Sequence, residues 1–315
     1  MKIVLLESLG VSDSFLEQQR KKLETLGHQF LSYEKTNDLD VLKERCHDAD
    51  VFMLANMPLS KEVIDQADQL KMVDVAFTGV DHLPLTTLHE RGIVVCNTSG
   101  YATKAVAELT LSFMIQLLRN TKEVEVCLRN GETKDGLIGH LLYGKTVGIV
   151  GAGTIGKQVA FLCKCFGCHV ICTNPSVVQC ESIDEQVDFN TLLERSDIVT
   201  LHCPLTEKTR HMMNRDAFMK MKKSAVFINT ARGGIVDEIA LKEALDHRFI
   251  AGAASDVFSQ EPPLSKDNPL FACPHFIVTP HIGYATDESL EERAQMTFEN
   301  LYAWLDGKPI RMIQK

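Results

Sequence analysis

The chain opens on an apolar run, KIVLLE at 2–7, and similar short runs return as DVFMLA (50–55), LKMVDVA (70–76) and GIVVCN (92–97). They are rich in Val, Ile and Leu and lack the strict alternation of a sheet with one wet face, so each predicts a strand buried on both sides. After the first comes SDSFLEQQRKKLETLG, whose apolar residues fall at helical spacing. Ser12 stands where it can accept first-turn N–H groups, and Gly27 where a helix ends. Strands alternating with helices in this way predict a parallel sheet.

A second series begins at TVGIV (146–150) and continues through HVICTN (169–174), SDIVTLHCP (196–204), AVFINTA (225–231), AGAASDVF (251–258) and FIVTPH (276–281). Six strands make up a complete nucleotide-binding sheet. The predicted fold class is therefore α/β, with two Rossmann-like, doubly wound parallel-sheet domains. Residues 1–99 and 286–315 form a flavodoxin-like substrate domain, and 100–285 a dinucleotide-binding Rossmann domain. The last helical stretch, DESLEERAQMTFENLYAWLDG, returns to the first domain. The segment TKAVAELTLSFMIQLLRNTKEVEV (103–126) is apolar on nearly every side of a helical wheel, so it is either buried within the monomer or sandwiched against a second subunit; the second reading is favoured for a helix linking two domains, and predicts a homodimer.

Composition narrows the partners. A net charge of −9, with no basic cluster longer than RKK at 20–22, argues against nucleic acid or an anionic membrane surface and favours a small soluble ligand. The N-terminal apolar run is too short for a signal-peptide core and no later stretch approaches a membrane span, so the expected location is cytoplasmic. Of the 10 cysteines, Cys163, Cys165, Cys168 and Cys172 crowd into FLCKCFGCHVIC. They alternate with packing positions and no second ligand group accompanies them, which predicts reduced, mostly buried thiols and no metal site.

GAGTIG at 151–156 follows the strand TVGIV, opens a helix and leads into a second strand, the setting a dinucleotide fingerprint requires. Gly151 permits the tight turn, Gly153 lets the backbone approach a pyrophosphate, and Gly156 allows helix to pack on strand. At the end of the next strand, where Asp or Glu would bond the ribose, stands Asn174. No Lys or Arg lies between Thr173 and Gln186 to attract a 2′-phosphate, which favours NAD while leaving NADP open.

Arg232, Glu261 and His281 then follow successive strands, at the ligand-facing ends of such a sheet. Taken together with their surroundings, NTARGGIVDEIAL, DVFSQEPP and TPHIGYAT, and with GAGTIG, GYATKAVAELT and FTGVDHLPL upstream, the chain resembles the D-isomer-specific 2-hydroxyacid dehydrogenase family along essentially its whole length. The resemblance implies that Arg232 binds the substrate, Glu261 is the acid partner of the histidine, His281 is the catalytic acid/base and Asp256 is a cofactor-side carboxylate. It also implies cofactor contacts at Thr103, Thr154, Ile155, His202, Thr230 and Ala231. Backbone N–H groups near Asn56, Met57, Gly79 and Val80 would hold the substrate carboxylate, with Tyr284 beside the substrate. Hinges are expected near Gly100 and after His281. Asn174, where many members have Asp, departs from the family pattern and bears on the NAD/NADP choice.

The residue types suit the chemistry. Reducing a 2-keto acid needs a hydride at C2 and a proton on the carbonyl oxygen as charge develops there. His281 can supply the proton, a carboxylate at Glu261 can orient the imidazolium, and Arg232 offers a planar bidentate grip on the substrate carboxylate. The resemblance implies reduction of a small 2-keto acid, with hydroxypyruvate (giving D-glycerate) or glyoxylate as the expected substrate. A 3-phosphoglycerate dehydrogenase is the enzymatic alternative, disfavoured because the chain stops at Lys315 without a regulatory extension. An NAD(H)-sensing corepressor-like binding protein is the alternative from another class.

Overall fold

The computed structural model describes residues 1–80, 82–260 and 263–313, in two compact units: residues 1–102 with 285–315, and residues 103–284. The first unit runs β1 (Lys2–Leu5), α1 (Asp13–Thr25), β2 (Gln29–Ser32), α2 (Leu39–Cys46), β3 (Val51–Leu54), α3 (Lys61–Gln66), β4 (Met72–Val75), α4 (Leu85–Glu90) and β5 (Val94–Asn97). All its strands are parallel, in the order β2-β1-β3-β4-β5. That is the flavodoxin-like order. Ser12 caps α1 by accepting from the Phe15 N–H, and Gly27 leaves the helix at φ 77°. β2 has no counterpart in the apolar pattern.

The second unit contains α5 (Thr103–Leu118), α6 (Thr121–Arg129), β6 (Thr146–Val150), α7 (Thr154–Cys165), β7 (His169–Thr173), β8 (Glu185–Gln186), α8 (Phe189–Arg195), β9 (Ile198–Leu201), α9 (Arg215–Lys220), β10 (Val226–Asn229), α10 (Glu238–Asp246), β11 (Gly252–Ser255) and β12 (Phe276–Val278). Its parallel sheet is ordered β12-β11-β10-β9-β6-β7-β8. The six expected strands are present, and β8, two exposed residues at the sheet edge, makes a seventh. Counted from β6, this is the Rossmann order extended by one strand.

The last helix, α11 (Asp287–Leu305), belongs to the first unit, where Ala294, Phe298 and Leu301 join the core of Ile3, Leu5, Val51 and Met53. The Phe298 ring meets Phe15 and Phe30 edge-on at 5.8 and 5.7 Å. Burying one such ring stabilises by about 1.5–3 kcal/mol. In the second unit α5 buries Ala105, Val106, Ala107, Thr110, Phe113, Met114, Leu117 and Leu118. Much of its all-round apolarity thus serves its own unit, while α6 has no buried residue at all. Among the described residues no helix is long and apolar enough to cross a membrane.

Candidate active site

Backbone sterics fix the glycine loop. Gly151 sits at φ 95°, and a Cβ there would lie 2.6 Å from the Cys203 nitrogen; one on Gly156 would lie 2.2 Å from the Gly151 carbonyl oxygen. Gly153 differs, since a Cβ there would meet nothing within 4 Å. It caps α7 without a side-chain hydrogen bond, so the N–H groups of Thr154, Ile155 and Gly156 stand at a helix N-terminus above open space. This is a cradle an anionic pyrophosphate fits, in charge and in room. The N–H of Ala152 donates to Asn174 Oδ1 at 3.2 Å, and Asn174 Nδ2 donates to Ser176 Oγ at 3.0 Å. Asn174 therefore lies at the loop's flank, where the ribose carboxylate was expected, and already holds two partners.

Parallel strands put their carboxyl ends on one edge, so the other candidates follow in the order of the sheet. Asn174 comes after β7, the glycines after β6, His202 after β9, Thr230 to Arg232 after β10, Asp256 after β11 and His281 after β12. His202 Nε2 is 3.0 Å from Thr200 Oγ1, and burial pushes its pKa down to about 3, so the ring is neutral. Thr230 is buried against Thr110 of α5, hydroxyl to hydroxyl at 3.0 Å, and Thr103 begins that same helix.

Two side chains that sequence reasoning did not single out, or read differently, hold the loops that carry Arg232 and His281. Asn229 accepts the Ala231 N–H and donates to the Arg232 carbonyl, both at 3.0 Å, which locks the turn presenting Arg232. Gly233 follows because a Cβ there would fall 1.8 Å from the Phe258 carbonyl carbon. Asp256, read above as a cofactor-side carboxylate, accepts the Ile282 and Gly283 N–H groups at 2.8 Å each and the Thr279 hydroxyl, while its own carbonyl accepts the His281 N–H at 2.7 Å. The carboxylate thus ties down the 279–283 loop. Burial pushes the Asp256 carboxyl above its ordinary range, against the pull of these hydrogen bonds and of His281. His281 itself is held at φ 59°, a left-handed conformation that costs a non-glycine residue about 1–3 kcal/mol and persists only where surroundings enforce it. Its ring meets Tyr284 edge-to-face at 5.8 Å. Glu261 lies outside the described residues.

In the first unit the loop after β3 carries Asn56 and Met57, and the loop after β4 carries Gly79 and Val80. Glu7, buried at the end of β1, accepts the Ala55 and Met57 N–H groups at 2.7 Å each. This corrects the expectation for Met57: its N–H is taken by Glu7 and its side chain is fully buried, so neither is offered to a substrate. Asn56 is exposed and accepts from Lys35 Nζ at 3.1 Å. Among the described residues no three His, Cys, Asp or Glu side chains gather as a metal site.

Comparison with known sequences agrees with this geometry. Residues 111–283 match the D-isomer specific 2-hydroxyacid dehydrogenase, NAD binding domain. The chain belongs to this family of NAD(P)-dependent oxidoreductases. It is 38% identical to D-3-phosphoglycerate dehydrogenase of Methanocaldococcus jannaschii over 95% of its own length, spanning only 57% of that relative. It is 36% identical to glyoxylate reductase of Thermococcus litoralis over 87% of this chain and 86% of the other. Among solved structures, the TT0316 protein of Thermus thermophilus superposes with a TM-score of 0.89 over the full length of both chains, at 32% identity.

Proposed function

We propose that this family member reduces a small 2-keto acid to the D-2-hydroxy acid, and runs the reverse reaction, with hydroxypyruvate or glyoxylate as substrate and NAD(H) preferred. One observation carries the assignment: the Asp256 carboxylate fixes the loop of His281 on the sheet edge that also presents Arg232 and the glycine cradle. The bound nicotinamide cofactor supplies the hydride. His281 donates the proton to the carbonyl oxygen, Glu261 steadies the resulting ring charges, and Arg232 grips the substrate carboxylate through two parallel N–H bonds. Asn56, Gly79 and Val80 are assigned to the substrate, and Thr103, His202, Thr230, Ala231 and Asn174 to the cofactor. Asn174 leaves room for a hydroxyl donor and brings no cation for a 2′-phosphate, which supports NAD over NADP.

The test is steady-state oxidation of NADH and NADPH against hydroxypyruvate, glyoxylate, pyruvate and 3-phosphohydroxypyruvate. The highest kcat/KM is expected with NADH and one of the first two. Binding of NADH without turnover of any keto acid would replace this reading with a cofactor sensor, and preference for the phosphorylated acid would make it a phosphoglycerate dehydrogenase. His281→Ala should lower kcat by about 10²–10⁴ while leaving NADH affinity nearly unchanged; retention of most turnover refutes the role.

The protein is further read as a cytoplasmic homodimer. Val126 and Leu128 on α6, with Ile138 and Leu141 just beyond, are exposed by 53% to 73%, apolar surface of the kind a second copy covers. Light scattering reporting a monomer at micromolar concentration would remove the dimer.

A further inference from the structure

The C-terminal end of α7 brings two thiols together for a reason that lies in its backbone. The Cys168 N–H donates to the Cys163 carbonyl at 3.1 Å and the Gly167 N–H to the Lys164 carbonyl at 2.9 Å, with Gly167 at φ 75°. These are the two bonds of a Schellman cap, which sets the residue after the glycine against one in the helix's last turn, a contact ordinarily made by two apolar side chains. Here both are cysteines, 0% and 3% exposed, so the cap sets one thiol against the other in a closed setting. Cys168 also donates to the Leu142 carbonyl at 3.5 Å, and Cys163 lies 3.9 Å from the Met114 sulfur. The reaction assigned above uses neither thiol.

We propose that Cys163 and Cys168 form a redox pair which a hydroperoxide closes into an intramolecular disulfide across the helix cap. Cys163 is sealed inside the last turn of α7, whereas Cys168 follows the Gly167 turn that the Tyr143 ring covers, and the neighbouring Cys163 and Lys164 draw its thiol below the ordinary range. Cys168 is therefore the nucleophile and Cys163 the resolving thiol. The Cys168 thiolate attacks the terminal oxygen of the hydroperoxide; the O–O bond breaks, the alcohol or water fragment leaves with a proton, and Cys168 becomes a sulfenic acid. The Cys163 sulfur then bonds to the Cys168 sulfur and the hydroxyl departs with the Cys163 proton as water. Two thiols have lost two electrons and two protons, and one hydroperoxide has become an alcohol and a water. A disulfide needs α-carbons about 4.4–6.8 Å apart, and the 6→1 backbone bond of the cap draws these two residues into that reach.

Access is governed by the segment that lies on the cap. The Gly144 N–H donates to the Gly167 carbonyl at 3.1 Å, and the Tyr143 ring rests where a Cβ on Gly167 would be, 2.5 Å away. Removing the ring opens the turn without touching the cradle at the helix's other end.

The experiment treats the full chain with hydrogen peroxide, blocks remaining thiols with N-ethylmaleimide, and digests with trypsin. Cleavage after Lys164 separates Cys163 from Cys168, so the disulfide shows as two peptides joined, lighter by two hydrogens and separated by dithiothreitol. Cys165→Ser removes the exposed thiol between them and should leave the link intact. Tyr143→Ala should speed its formation several-fold, and Cys163→Ser should leave a Cys168 sulfenic acid that dimedone captures. Recovery of both cysteines as maleimide adducts, under peroxide that oxidises Cys165, would overturn the proposal; so would a link from Cys168 to another cysteine. Neither result depends on which keto acid the enzyme turns over.

Discussion

Each sheet ends in a loop tied down by a buried carboxylate, and the two ties are balanced differently. In the first unit Glu7 takes the Ala55 and Met57 N–H groups, with the Lys35 ammonium 3.3 Å from its other oxygen. In the second, Asp256 takes two N–H groups and the Thr279 hydroxyl, and the charge that draws on it is that of His281. A carboxylate answered by a lysine is a static brace, because the ammonium keeps its charge throughout turnover. A carboxylate answered by the ring assigned to carry the proton is different, since the charge facing it changes as that proton moves. On the proposed assignment of His281, the first loop is held independently of the chemistry and the second is coupled to it.

Removing each tie in turn would break or sharpen this contrast, and the largest effect belongs to Asp256. Asp256→Ala orphans buried donors at about 1–3 kcal/mol each and frees a strained loop, so kcat should fall by about 10²-fold or more while NADH affinity changes little. Asp256→Asn keeps the shape but sets an amide N–H₂ against a backbone donor and removes the charge. It should recover part of the rate and change the pH profile of kcat, a response a purely structural residue would not give. An unaltered profile in Asp256→Asn would reduce Asp256 to a brace like Glu7.

The first unit should respond more mildly, and in a different constant. Glu7→Ala loosens the loop bearing Asn56, so KM for the keto acid should rise about tenfold with kcat less affected. Glu7→Gln keeps the acceptor for Ala55 and Met57 and loses mainly the attraction to the half-exposed Lys35, worth about 1 kcal/mol or less. Steady-state kinetics that place either change in kcat instead of KM would mean that both ties act on the chemical step.

How much of this the sequence discloses depends on what each feature is made of. The glycine loop is legible because only glycine survives at Gly151 and Gly156, where a Cβ would strike backbone. The buried strands are legible because both faces demand apolar residues. β2, reading exposed, buried, intermediate, exposed, and β8, with two exposed residues, are edge strands that carry no such demand and so leave no apolar run. The ties escape for another reason. Glu7 and Asp256 act on residues 48, 50, 26 and 27 positions away, pairings that exist only once neighbouring strands lie side by side, whereas Asn229 acts within its own turn, 2 and 3 positions on, where a polar side chain has no apolar pattern to announce it. Asp256 drew notice only through the family resemblance, as a cofactor-side carboxylate, and its hold on the histidine loop was not legible at all.

A third buried carboxylate shows what an untied one does, with the smallest effect on function. Asp74, in the middle of β4, accepts from Asn300 Nδ2 at 3.0 Å through Oδ1, and among the described residues its Oδ2 has no partner. Burial pushes its carboxyl up to about 8, more than Asn300 and Arg311 pull it down. Between the ordinary carboxylate value and that pH the folded chain holds a proton that the unfolded chain has released, so stability falls as pH rises through the window, by about 1.4 kcal/mol per unit of difference. Asp74→Asn keeps the Oδ1 acceptor and mimics the protonated acid. It should match the parent near pH 4 and exceed it at pH 8 by about 1.4 kcal/mol or more, read as a higher urea midpoint, with kcat unchanged. A variant whose advantage is the same at both pH values would show that Asp74 is ionised in the fold.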